Sequence, residues 1–189
     1  MGLKNISLNK RNLKSKKGDT VIIFMIMILI FFVSVSIIGL DLYGLYSRNV
    51  KVKATMNRAV KGASMQVDTE VKDENGDNLA AKGIFLIDEA EATKAFEEIM
   101  SVNLGIDKAT LEPLESSILR YKPEIVEFVI LNDYKNMPYE YTSAVLSEKF
   151  IVDHPTVFAV LKFNVDSFFL KEQYAVGKMS SSQLINSAD

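Results

Sequence analysis

The 189-residue sequence predicts an α+β fold: a long N-terminal transmembrane-amphipathic helix, then a small antiparallel sheet packed with a helix. Three observations carry this expectation. Residues 20–40 form an uncharged apolar run of 21 residues. Apolar residues then recur at three- and four-residue steps through residue 67. The remainder alternates strand-like stretches with one helix-like stretch.

The apolar run, TVIIFMIMILIFFVSVSIIGL, contains only the hydroxyls of Thr20, Ser34 and Ser36 as polar side chains. At a rise of about 1.5 Å per residue it spans about 31 Å, the thickness of a bilayer's hydrocarbon core. Lipid offers no partner to backbone N–H and C=O groups, so a lone span must be helical. The run is longer than a secretory h-region and is followed by no Ala-x-Ala pattern, which favours an uncleaved anchor.

Residues 1–19 read as a basic cytoplasmic leader, largely disordered. Lys4, Lys10, Arg11, Lys14, Lys16 and Lys17 stand there against the single acid Asp19. From Asp41 onward 16 basic residues face 23 acidic ones. The short basic flank predicts a single-pass protein of the cell membrane, with its N-terminus inside and its C-terminal domain outside. Arg48, Lys51, Lys53, Arg58 and Lys61, just after the span, oppose that rule.

Residues 41–67 predict an amphipathic extension of the helix. Leu42, Leu45, Tyr46, Asn49, Val52, Met56, Ala59, Val60, Ala63 and Val67 share one face, and Arg48, Lys51, Arg58, Lys61 and Ser64 the other. Such a stripe packs onto the protein's own domain or onto neighbouring helices.

Residues 68–180 predict the extracytoplasmic α+β domain, and 181–189 a flexible tail. Asp73, Asn75 and Asp77 alternate oxygen side chains around an Asn-Gly turn. Their spacing fails the EF-hand pattern, so a solvated hairpin turn is expected and no metal site. GIFLID (83–88) reads as a strand. Residues 88–105 read as a helix capped by Asp88 and stopped by Gly105. Strands are expected at 124–133, 149–152, 156–165 and 173–176, with 133–143 a polar, tyrosine-rich connection.

Little else carries chemistry. The chain has no cysteine, which excludes disulfides and thiolate metal sites. The one histidine, His154, precedes a proline in a loop-like VDHP and has no triad or zinc pattern around it. No phosphate-binding glycine loop occurs, and the acidic balance after the span argues against nucleic acid. No catalytic residue, cofactor, metal or small-molecule substrate is expected.

The N-terminal third resembles a known design. KKGDTVIIFMIMILIFF places Lys16, Lys17 and Gly18 before an apolar helix, as in type IV pilin-like proteins. IIGLDLYGLYSRNVKVKATMNRAVKGASMQ (37–66) is similar to TadE-like pseudopilins, with Asp41 after the span and Ala54, Ala59 and Ala63 beyond it. The layout of the remainder is similar to domains carried by such proteins in Gram-positive bacteria. The resemblance implies a membrane-anchored minor pseudopilin of a tight-adherence pilus or secretion apparatus. Its partners would be the membrane and other pilin-like or assembly proteins, met through the N-terminal helix. It also implies a leader-processing junction at Gly18 and Asp19. Ile23 stands where pilin-like chains place Glu. Close helix packing in lipid would use Ser34, Ser36 and Gly39, beside Asp41. A signal-anchored adaptor or sensor, binding a protein or envelope component, is the alternative, and a tethered enzyme a third reading.

Overall fold

In the computed structural model, residues 6–166 and 171–181 are described. Helix α1 runs from Ile6 to Ser64. The chain divides into two compact units, Met1–Gly44 and Leu45–Asp189.

Among the described residues of the first unit the only element is α1. Its onset at Ile6 corrects the expectation of a disordered leader. No proline or glycine falls between Ile6 and Lys17, and Leu, Lys and Arg are good helix formers. Once a lipid-length helix is nucleated, each added residue gains a hydrogen bond without a second nucleation cost. Gly18 and Asp19 consequently lie inside continuous helical backbone. Residues 1–5 lie outside the described residues.

The second unit takes the rest of α1, from Leu45 to Ser64, as one wall of its core. Val52, Met56, Ala59, Val60 and Ala63 are completely buried there. The helix ends at Ser64, three residues short of the expected 67. Val67–Asp68 instead forms β1, paired antiparallel with β2 (Leu86–Ile87). The serine expected on the polar face, Ser64, is buried, and its hydroxyl lies 3.0 Å from that of Ser180.

Helix α2 (Glu89–Leu104) begins where expected. Asp88 is its N-cap and accepts from the Glu91 backbone N–H at 2.9 Å, while Glu89 and Glu91 face the positive end of the helix. Ala92, Phe96, Met100 and Leu104 point inward. Gly105 closes the helix in the left-handed region, at φ 69°, and returns its N–H to Ser101 O at 3.0 Å. A Cβ there would stand 2.9 Å from Ser117 Cα, so glycine is required by space as well as by φ.

The principal sheet is antiparallel in the order β3 (Glu124–Leu131), β6 (Thr156–Asp166), β7 (Lys171–Ser181). Strand β6 is central and is buried on both faces. Val157, Ala159, Leu161, Phe163 and Val165 join the core shared with α1 and α2. Phe158 faces the other way, 5.6 Å from the Tyr141 ring and 5.1 Å from the Phe150 ring. Those rings belong to a small hairpin, β4 (Tyr139–Thr142) and β5 (Lys149–Val152), that covers the second face. Phe96 on α2 meets Phe128 on β3 at 4.7 Å between ring centres. The short β1–β2 pair is tied to the sheet by Asn132, whose side chain bonds Ile87 N–H and C=O at 3.0 and 2.8 Å.

The α+β architecture is the expected one. Three strand assignments change. The strand expected over residues 83–88 shrinks to Leu86–Ile87, because Gly83 closes the preceding turn in the left-handed region, at φ 77°. The tyrosine-rich connection contains a strand, β4, because Tyr139 and Tyr141 alternate with polar residues and the Tyr141 ring covers Phe158. Strand β7 runs through 11 residues rather than four, because its register with β6 is unbroken from Lys171 to Ser181. Beyond that strand, residues 182–189 of the expected tail lie outside the described residues.

Candidate functional site

Among the described residues one helix is long and apolar enough to cross a membrane, beginning at Thr20. From Val21 to Leu40 each large apolar side chain is exposed, from 40% at Ile28 to 72% at Leu40. On a bare helix neighbouring side chains shade one another, so such values describe a surface covered only by its own turns. Soluble domains do not leave a continuous apolar surface of this size in water. The segment is consistent with a membrane anchor.

Its polar atoms are arranged accordingly. Ser34 Oγ donates to Ile30 O at 2.8 Å, and Ser36 Oγ to Phe32 O at 2.8 Å. Both hydroxyls are therefore satisfied within the helix and leave no donor facing hydrocarbon. At about 100° per residue, the four packing residues read from the sequence fall on two faces. Ser34 and Asp41, seven apart, share one; Ser36 and Gly39, three apart, share the nearly opposite one. The helix does not bring all four together.

The outer stripe has a different fate. Leu45, Val52, Met56, Ala59, Val60 and Ala63 are spent on the domain's own core. Leu42 and Tyr46, assigned to the same stripe, remain exposed. The continuous exposed apolar surface of α1 thus lies in the first unit, with Tyr46 and Val50 the isolated exposed groups just beyond it.

The end of the domain nearest Leu45 in the chain carries a polar junction that periodicity does not reveal. Arg48 donates from a guanidinium nitrogen to Asp166 O at 2.9 Å, and Tyr121 OH donates to the Asp166 carboxylate. That carboxylate holds the Tyr121 hydroxyl above its usual pKa. Only a long-range contact map could have joined residues 118 apart.

A second polar cluster sits between sheet and hairpin. Glu127 accepts from Tyr141 OH at 2.5 Å, Ser143 Oγ at 2.6 Å and the Ala144 N–H at 3.3 Å. Burial alone would raise the carboxyl pKa of Glu127. The hydrogen bonds from Ser143, Tyr141 and the following backbone N–H groups outweigh it and hold the group below its usual value. Burial, with the Glu127 carboxylate beside it, pushes Tyr141 up to about 12. The tyrosine cluster singled out in the sequence is thus partly a structural clasp.

The remaining sequence candidates resolve simply. Residues 73–78 form the expected hairpin turn, with a bridge between Lys72 and Asn78. Asp73 Oδ1 receives the N–H groups of Asn75 and Asp77, both at 2.9 Å. The Lys82 ammonium lies 2.6 Å from Asp73 and 2.8 Å from Asp77, where a cation would sit. His154 is half exposed in its loop, with Nδ1 3.0 Å from Asp153 Oδ1. No group of three or more acids and histidines suited to a metal occurs among the described residues.

No family model matches the chain, nor does any curated protein or any solved structure.

Proposed function

We propose that this protein is a membrane-anchored, non-enzymatic assembly component, built like a TadE-like minor pseudopilin of a tight-adherence pilus or secretion apparatus. The observation that supports this reading is the division of labour along α1. Its first part, Val21–Leu40, exposes apolar side chains all round, while Leu45–Ala63 is committed to its own domain. A helix of this kind holds a folded domain at a bilayer and offers its span to neighbouring helices. In this reading the N-terminus is cytoplasmic, the domain extracytoplasmic and the partners other pilin-like subunits.

The absence of native cysteine makes a direct test simple. Single cysteines at Ser34 or Ser36 sample the two opposite faces of the span in the intact chain. Oxidation in membranes should give a crosslinked species from one face and not the other. Membrane-impermeant maleimide should label Lys178→Cys from outside and spare Ser7→Cys. A chain that stays in the membrane but crosslinks from neither face would favour the solitary adaptor.

A further inference from the structure

We infer that the domain binds anionic lipid headgroups through a basic collar formed by Lys51, Arg120, Tyr121 and Lys122. The inference rests on the anchor reading above and goes beyond it by assigning the domain its own contact with lipid.

The collar is assembled from two distant stretches. Residues 120–122 lead into β3, and all three are exposed. They are held in place by Tyr121 OH on the Asp166 carboxylate at the far end of β6. Arg48, one turn before exposed Lys51, grips the backbone of the same Asp166. The charges therefore gather around a single strand end. Two acids lie beside them: Asp166, which keeps its charge while accepting from the neutral Tyr121 hydroxyl, and Glu124, which lies opposite Lys162 in the strand register. Arg48, Lys51, Arg120 and Lys122 outnumber these two. None of the ion pairs among the described residues involves Lys51, Arg120 or Lys122.

The occupant follows from covalent tethering. Arg48 is eight residues beyond Leu40, where the apolar run ends. Even a fully extended chain of that length reaches only about 29 Å. Whatever the orientation of the domain, the covalent tether keeps this strand end within roughly that reach of the end of the apolar run. The ring of Tyr121, 42% exposed, adds an aromatic group with a polar tip, the side-chain type favoured at that depth. Basic side chains held there attract an anionic leaflet, at about fivefold in occupancy each. This also gives a role to Arg48 and Lys51, two of the positive charges after the span that oppose the inside-positive rule: they serve the domain's seating rather than its topology.

The test uses the full chain carrying a spin label on Asn164→Cys, an exposed position two residues from Asp166. It is reconstituted in phosphatidylcholine vesicles, with or without 30 mol % phosphatidylglycerol. Phosphatidylglycerol should lower the label's accessibility to a water-borne nickel chelate severalfold. Raising salt from about 0.05 to 0.5 M should restore it, because the screening length shrinks to a few ångströms. Arg120→Gln with Lys122→Gln should abolish the lipid dependence with an unchanged thermal melt; Lys94→Gln with Lys108→Gln should not. Accessibility indifferent to phosphatidylglycerol in a chain that floats with the vesicles would overturn the collar alone. A chain that fails to float would overturn the anchor and the collar with it.

Discussion

Tyr141 on β4 donates its phenolic hydrogen to the Glu127 carboxylate on β3 at 2.5 Å, across the face of the sheet that α1 does not cover. A hydrogen bond to a charged acceptor contributes about 1.5–3 kcal/mol. Tyr141→Phe removes it while keeping the ring against Phe158. The variant should lose about 1.5–3 kcal/mol in urea unfolding, and hydrogen exchange should quicken first in residues 139–152.

The same pair sets the pH limits of the hairpin. Glu127 titrates lower in the fold than unfolded, so its contribution is present above the usual carboxylate value, about 4.3, and fades as pH falls through its folded value. Tyr141 titrates higher in the fold, so its contribution is full below about 10 and is lost as pH rises toward about 12. Thermal melts between pH 3 and 12 should fall at both ends. In Glu127→Gln the acid-side fall should shrink, because the group that must be protonated is gone.

Gly105→Ala should destabilise the domain by about 1–3 kcal/mol. A left-handed φ of 69° penalises a side chain, and the Ser117 backbone, 2.9 Å from the new Cβ, cannot swing aside. Gly76→Ala meets only the first penalty, since nothing lies within 4 Å of its Cβ. A loss at Gly76 equal to that at Gly105 would refute the role of the Ser117 contact.

Phe96→Ala should cost about 3–5 kcal/mol, as for a fully buried aromatic. The ring touches Phe128 and so joins α2 to the sheet. Circular dichroism melts of the full chain in detergent would read the loss.

Anchoring should tolerate one charge and fail with three. Apolar residues at the centre of a span favour insertion by roughly 0.3–0.6 kcal/mol each, and an arginine opposes it by about 3 kcal/mol. Summed over the run, a single Leu29→Arg leaves insertion favourable. Arginine at Leu29, Ile30 and Phe31 together reverses the balance. Carbonate extraction of membranes should keep the first variant in the pellet and release the second.

Much of this fold was legible because local rules and burial agree. The apolar run, Asp88 as a cap, Gly105 as a stop and the alternation of β6 each state their structure within a few residues. The stripe from Leu45 to Ala63 was legible as a stripe; its partner was not, since periodicity names a face and never what covers it. Ser64 reads as polar and exposed, yet it meets Ser180, 116 residues away. Strand β4 was hidden because its apolar side chains are tyrosines, whose hydroxyls resemble loop chemistry until Glu127 is seen to receive one. The collar was visible only as scattered charge, since Arg48 and Tyr121 become neighbours through Asp166.

The pairing of Ser64 with Ser180 also sets a clock. The wall of the core made by α1 is synthesised more than a hundred residues before the strand that closes against it. At about 5–20 residues per second, Ser64 waits roughly 6–23 s for Ser180. During that interval the nascent domain lacks the last strand of its sheet. Chains cut short before Lys171 should remain in that state and depend on chaperones, however well their anchor is inserted.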